Sequence, residues 1–268
     1  MKLVVLVTTM HQNSFDIYTK MNLQTDAVIA NQASKNTYEE TTINGHLIKL
    51  ITTTSRGLSR NRNVALVHSD QDADILLFAD DDLVFEDGYE TKVITEFVKH
   101  PEAKAIKFNV HDLSNSRCIS MNRITEFEKA TRRNMSSSGV VGLAIRASSF
   151  IQYNFKFNEC FGSGTQQNSG EDTILIMQMI NSHFPLFRSP VDIAGIDQTE
   201  SSWFEGYNNK YFESAGAVIG TIFPRLCYLL VIRSAYRFSK REKCEMRFRD
   251  ILACYYKGIR NNEKQFQP

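Results

Sequence analysis

At 268 residues the chain is long enough to bury a full core, as one large domain or as one domain with an appendage. Its 31 Lys and Arg against 30 Asp and Glu leave a net charge of +1, which gives no overall pull toward nucleic acid. Five cysteines (Cys118, Cys160, Cys227, Cys244 and Cys254) are an odd number with no C-x-x-C pair, so zinc spacing is absent and reduced thiols are expected.

The chain runs from Met1-Lys2 straight into an apolar stretch over 3–7. That stretch is too short for a signal h-region with a cleavage site and suits a first strand, so a cytoplasmic location is expected. A polar loop follows over 8–14. Residues 27–30 read as a second strand ending in a turn at Asn31-Gln32, and 47–52 as a third. Residues 58–69 have helical spacing, with Leu58, Val64, Ala65 and His68 on related faces. Residues 75–79 form the next strand, 90–99 a helix stopped by Pro101, and 105–110 another strand. Later come a polar loop over 135–138, a strand over 139–146 and a helix over 173–180. This alternation predicts an α/β sheet with helices on both faces, whose ligands collect beyond the carboxyl ends of the strands. Thr8-Thr9, Asn31-Gln32 and the acidic run 80–82 all fall at such ends. One catalytic domain over 1–211 and a helical extension over 212–268 are expected.

The strongest chemical signal is Asp80-Asp81-Asp82, directly after a buried strand. Adjacent like charges repel, so a cation is called for. Hard carboxylate oxygens suit Mg²⁺ or Mn²⁺. Residues i and i+2 of an extended chain share a face, so Asp80 and Asp82 address one site while Asp81 faces elsewhere. Alone, the triplet reads equally well as a solvated acidic turn. Arg56, Arg60 and Arg62 cluster at a helix N-terminus, an anion site by dipole and free N–H groups, where arginine forks favour phosphate. A solvated basic helix face is the alternative. Glu171 and Asp172 follow a Gly-, Ser-, Asn- and Gln-rich loop. Either could serve as a general base toward a hydroxyl, or simply as a first-turn acid of a helix. Trp203, the only tryptophan, is a stacking face for a sugar ring or a packed core residue. The six histidines form no H-x-x-x-H pair, and neither G-x-S-x-G nor G-x-x-x-x-G-K-[ST] occurs, which removes serine-hydrolase and P-loop readings.

Taken in order, the strand ending in Thr8-Thr9, the Arg62-Asn63 pair, Asp80–82, Gly170-Glu171-Asp172 and Ser201-Ser202-Trp203 resemble glycosyltransferase family 2 enzymes of the GT-A fold, the type that builds bacterial surface polysaccharides. The resemblance spans about residues 1 to 215. It implies a Rossmann-like mixed α/β sheet flanked by helices, and inverting transfer of a sugar from a nucleotide sugar, usually a UDP-sugar, to an acceptor hydroxyl. By that likeness Thr8, Thr9, Asn31 and Gln32 would hold the nucleobase and ribose. Arg62, with Arg56 and Arg60, would meet the pyrophosphate. Asp80 and Asp81 would lie on the nucleotide, Asp82 with Asp80 would bind Mn²⁺ or Mg²⁺, Asp172 with Glu171 would be the base, and Trp203 would meet the acceptor. Three departures stand out. Asn31-Gln32 replaces the acidic residue that often reads the base. No histidine follows His183, so Asp197 or Gln198 falls where a late metal ligand is usual. The Q-x-x-R-W signature of processive synthases is absent, which favours one sugar per encounter.

The nearest approach to a membrane span, 217–232, is interrupted by Pro224 and Arg225 and is shorter than the roughly 18 apolar residues required. A basic stretch follows it, so the extension is expected either to touch an anionic membrane, near a lipid-linked glycan acceptor, or to pack as a hairpin or homo-oligomer contact. Two competing readings remain. A nucleotidyltransferase would need a Gly-rich basic loop after the first strand, and residues 8–14 contain neither glycine nor Lys or Arg. A non-catalytic sugar-binding or scaffold subunit would have no need of Asp80, Asp82 and Asp172 together.

Overall fold

The computed structural model describes residues 1–70, 72–112, 123–136, 138–196 and 206–265. Among them, ten strands form one mixed sheet: β1 (Leu3–Met10), β2 (Asp26–Gln32), β3 (Thr37–Ile43), β4 (His46–Thr53), β5 (Ile75–Asp80), β6 (Leu83–Phe85), β7 (Ala105–Asp112), β8 (Glu128–Lys129), β9 (Leu143–Arg146) and β10 (Leu186–Ile196). The order across the sheet is β3-β4-β2-β1-β5-β9-β7-β10-β6, with β8 on β10. β4, β2, β1 and β5 run parallel, and β9 is inserted antiparallel between β5 and β7.

Successive residues of β1 serve opposite layers, as the strand period requires. Leu3, Val5 and Val7 join a core built with α1 (Asp16–Lys20) and α3 (Tyr89–Lys99). Val4 and Leu6 join a second core on the other face, with α2 (Leu58–Val67), α4 (Ala147–Gln152) and α5 (Glu171–Asn181). β1, β2 and β5 are buried on both faces, which is why they read as continuous apolar runs. The same alternation sends Thr8 and Asp80 toward the α2/α5 layer and Thr9 and Asp81 toward the other.

Several sequence expectations are corrected. The 8–14 loop is shorter than expected: β1 continues through Met10 and α1 begins at Asp16. Asn31 and Gln32 are not a turn but the last two residues of β2, paired with Thr9 and Met10. β3 escaped notice because an exposed edge strand carries no apolar alternation, although Asn44-Gly45, both at positive φ, is a hairpin signal. β10 escaped because Pro190 interrupts it, and the pairing with β7 shifts register between Arg188 and Asp192. The 139–146 strand shrinks to Leu143–Arg146.

α2 differs most in kind. Its buried side chains are Ser59, Asn61, Arg62 and Ala65, not an apolar stripe. The helix lies across strand ends and loops whose carbonyls need donors. Asn61 Nδ2 donates to the carbonyls of Ala30 (2.8 Å) and Thr9 (3.2 Å), and Ser59 Oγ donates to that of Phe161 (2.6 Å).

The C-terminal part is helical: α6 (Asn209–Ile222), α7 (Cys227–Phe238) and α8 (Phe248–Gln265). Phe212, Cys227, Val231, Ala235, Ile251 and Tyr255 give it a core of its own. α6 and α8 approach closely through glycine; a Cβ on Gly258 would stand 1.9 Å from the Glu213 carbonyl oxygen. Ala217, Val218 and Ile222 of α6 pack on Phe161 and Ile174, which joins this unit to the start of α5. Among the described residues, no helix is long and apolar enough to cross a membrane.

Candidate active site

The site is organised around Arg62, whose side chain is 3% exposed. Nη2 donates to both carboxylate oxygens of Asp80 at 3.1 Å. Nη1 donates to Asp172 and lies 3.5 Å from Glu171 Oε1. The guanidinium carbon sits 5.3 Å over the Phe157 ring. The next residue fixes that ring: Asn63 Nδ2 donates to the Phe157 carbonyl (3.0 Å), and Phe157 N–H donates to Asn63 Oδ1 (2.9 Å). The two residues of the Arg62-Asn63 pair thus have separate tasks, one collecting carboxylates and the other holding the surface beneath the arginine.

Burial works against charging Arg62, but the charges of Asp172, Asp80 and Glu171 outweigh it and hold the guanidinium more firmly protonated than usual. Glu171 responds in the opposite sense. Burial, reinforced by the neighbouring Asp172 charge and only partly offset by Arg62, pushes its carboxyl up to about 7. Asp172 is more accessible, at 21% exposure, and its Oδ2 accepts from Val140 N–H at 3.0 Å. Gly139 leaves room for this bond, since a Cβ there would lie 2.9 Å from the same oxygen. Carboxylate oxygens have about four acceptor sites between them, so these bonds leave Asp172 able to accept a further proton donor.

The other strand-end residues form a shell behind the aspartates. Thr8 Oγ1 donates to Asp80 (2.7 Å) and Thr9 Oγ1 to Asp81 (2.5 Å). Asn31 is fully buried; its amide donates to the Gln12 carbonyl and the Thr52 hydroxyl and accepts from Gln12 N–H. Gln32, also buried, donates to the Gly57 carbonyl (2.9 Å). These four side chains fasten strand ends, aspartates and the loop before α2 to one another. That loop is tied to the one before α5, since Leu58 N–H donates to the Ser163 carbonyl (3.0 Å).

The three arginines separate. Arg62 is buried among the carboxylates. Arg60 is exposed and pairs with Glu159 (2.9 Å). Arg56, exposed in the loop between β4 and α2, makes no ion pair with any described residue. Asp82 is exposed just beyond β5. Asp80 and Asp82 offer the hard oxygens that Mg²⁺ or Mn²⁺ prefers. Among the described residues, no three His, Cys, Asp or Glu side chains converge to hold a metal by themselves. The donor chemistry fits a divalent cation whose remaining ligands would come from elsewhere, such as a diphosphate and water. Asp197, Gln198 and Trp203 lie outside the described residues, as does Cys118.

Sequence reasoning missed Phe157, Val140 N–H and Lys107. Lys107, on β7, donates from Nζ to the Val141 carbonyl. Burial lowers its ammonium to about 8 even though the charges of Asp172 and Asp80 pull the other way and only Arg188 adds to the lowering. A cation inside the apolar run 105–110 was the available signal.

An α/β sheet with parallel strands at its centre, an acidic strand end and a carboxylate pair opening a helix across from it define a GT-A transferase fold. The sequence matches the model of glycosyl transferase family 2 over residues 25–161, slightly more than half of the chain, and the chain belongs to that family. Residues 1–349 of TarS from S. aureus have the same fold, with a TM-score of 0.62 at 14% identity over 99% of this chain and 91% of that one. The TarS fragment in complex with UDP-GlcNAc gives 0.60 at 16% identity over 100% and 74%. GalNAc-T7 with UDP, GalNAc and Mn²⁺ gives 0.58 at 11% identity over 100% and 58%. No match was found among curated protein sequences.

Proposed function

We propose that the protein is an inverting, metal-dependent glycosyltransferase that moves one sugar per encounter from a UDP-sugar to a glycan hydroxyl during synthesis of a bacterial surface polysaccharide. The observation that carries this reading is the position of Arg62, which draws Asp80 at the end of β5 and Asp172 at the start of α5 into one cluster. In this reading Asp80 is the donor-side acid and Asp172 the acceptor-side base, both bonded to one cation. The UDP-GlcNAc complex of TarS and the UDP and Mn²⁺ complex of GalNAc-T7 support the choice of donor and metal.

In this reading Asp172 takes the proton of the attacking hydroxyl, and Arg62 keeps its carboxylate oriented. Glu171, buried behind it, tunes the local charge. Asp82 and Asp80 would hold Mn²⁺ or Mg²⁺, with Asp197 as a further candidate ligand; when bound, the metal supplies Lewis-acid stabilisation of the departing diphosphate. Arg56 adds a fixed positive charge for the same phosphates, and Arg60, paired with Glu159, is a further candidate. Thr8, Thr9, Asn31, Gln32 and Asp81 shape the nucleoside end of the cleft, the first four chiefly by holding other groups in place. Trp203 stacks on the acceptor sugar. A single displacement, with the hydroxyl attacking opposite the leaving diphosphate, inverts the anomeric centre without a covalent enzyme intermediate. The chain divides into a catalytic domain over 1–211 and an extension over 212–268. It works in the cytoplasm at the inner face of the membrane, on a lipid-linked acceptor.

The test is release of nucleoside diphosphate from a panel of nucleotide sugars with Mn²⁺ and acceptor glycans. Activity should vanish in Asp82→Ala. In Asp172→Asn, donor binding measured by calorimetry should persist while transfer falls about a hundredfold, the scale of general-base loss. Full transfer by Asp172→Asn would remove that residue from the role. A silent panel with intact sugar binding would favour a non-catalytic scaffold.

A further inference from the structure

α7 has two faces. Cys227, Val231 and Ala235 point into the helical core. On the outside, Leu226, Tyr228, Leu229, Ile232 and Tyr236 are exposed, Leu229 by 68% and Tyr236 by 60%. Positions 229, 232 and 236 follow helical spacing, so these side chains form a stripe rather than scattered exposures. Arg225, Arg233, Arg237 and Lys240 flank it, all exposed, and none makes an ion pair among the described residues.

Charge distribution separates this face from an ordinary solvated helix. Between Glu213 and Glu242 the sequence contains Arg225, Arg233, Arg237, Lys240 and Arg241 and no carboxylate. Exposed helical cations are stabilised by acids three or four residues away, and Arg233 and Arg237 have none. Two other helical lysines do find acids, from neighbouring segments: Lys257 pairs with Glu213 and Lys92 with Glu86. A contiguous apolar stripe edged by uncompensated cations matches the boundary of an anionic bilayer, where aliphatic and tyrosine side chains sit at headgroup depth and arginines meet phosphates. A second copy of the chain fits less well. A two-fold contact would set these cations opposite the same cations, with no acid between Glu213 and Glu242 to relieve them. At 12 residues α7 is about 18 Å long, too short to span and suited to lying flat.

We propose that the outer face of α7 docks on an anionic membrane surface, with Leu226, Leu229, Ile232 and Tyr236 inserted at headgroup level and Arg225, Arg233, Arg237 and Lys240 against lipid phosphates. The docking stands on this face alone; its use, to bring the cleft to a lipid-linked acceptor, rests on the transferase reading. α6 connects the two, since Val218 packs against Gly170 immediately before Glu171 and Asp172.

The experiment is flotation of the full chain, without nucleotide sugar, with vesicles of phosphatidylcholine alone or with about one-third phosphatidylglycerol. Binding should require the anionic lipid and weaken with salt. Leu229→Glu with Ile232→Glu should abolish it. Arg233→Gln with Arg237→Gln should weaken it about thirtyfold, given the affinity that each basic residue near such a surface contributes. All four side chains are exposed, and unchanged circular dichroism will confirm folding; of the two variants, the charge variant carries the test if the other fails to fold. Absence of binding to anionic vesicles, or equal binding by parent and charge variant, overturns the proposal. So does a dimer in sedimentation that Leu229→Glu dissociates, which would assign the face to a second copy. Because no sugar donor is present, the result is independent of whether the chain transfers a sugar.

Discussion

Val218 of α6 occupies the space that a side chain at Gly170 would need: a Cβ there would stand 2.1 Å from Val218 Cγ2. Gly170 also has φ +106°, a conformation that L side chains rarely adopt. The C-terminal helices are therefore keyed into the residue that precedes the Glu171-Asp172 pair.

Gly170→Ala should destabilise the protein by about 1–3 kcal/mol from overpacking, with a further cost from the backbone conformation. Adding Val218→Ala should restore the packing part and leave the backbone part. Urea denaturation of the four species in a double-mutant cycle would measure the coupling, expected to exceed about 0.5 kcal/mol. Additive effects would mean that the two sites do not press on each other.

Arg62 is the counter-charge for three carboxylates, so removing it leaves buried Glu171 and half-buried Asp80 and Asp172 without a cation. Arg62→Met should cost about 3–5 kcal/mol, and Arg62→Lys should recover only part, because an ammonium cannot span Asp80 and Asp172 as a planar fork does. Chemical denaturation at pH 7 checks this. A loss below about 1 kcal/mol for Arg62→Met would show that the carboxylates can be accommodated without the guanidinium.

Glu171 makes stability depend on pH in a defined direction. Its carboxyl is raised from an ordinary 4.5 to about 7, chiefly by burial. The folded state therefore holds a proton that the unfolded chain releases earlier. This contribution to stability is fully present below about pH 4.5 and is lost as pH rises through about 7. Glu171→Gln should flatten the fall in stability between those values, read from urea midpoints across a pH series. An unchanged slope would relocate the proton to another group.

Much of the framework was legible because it rests on local pattern. Strands β1, β2, β4, β5 and β7 appear in the sequence as apolar runs of strand length, α3 as a helix stopped by Pro101, and α5 as an apolar run opened by Glu171-Asp172. The missed elements carry no such pattern: β3 is a polar edge, β6 spans only 83–85, and β10 is broken by Pro190. The span of α2 is legible in the sequence but its inward face is not, because periodicity assumes that buried means apolar. Here the buried face meets backbone carbonyls and carboxylates, and polar side chains are the ones that fit. Lys107 was overlooked for a related reason, since its significance lies in what surrounds it.

The sequence alone determined which residues carry charge where a core would not want it: the acidic end of β5, the basic start of α2 and the Glu171-Asp172 pair opening α5. Those are local anomalies, and like charges in a row advertise themselves without any knowledge of the fold. Only the tertiary structure decided how they are shared. Arg62 meets Asp80, 18 residues away, and Asp172, 110 residues away, because the sheet order brings the end of β5 and the start of α5 to the same helix. Asn31, Gln32, Thr8 and Thr9 became fasteners because their neighbours were close enough to claim their hydrogen bonds. Burial and pairing are properties of distance in space, and sequence separation carries almost no information about that distance once the chain has crossed its own sheet.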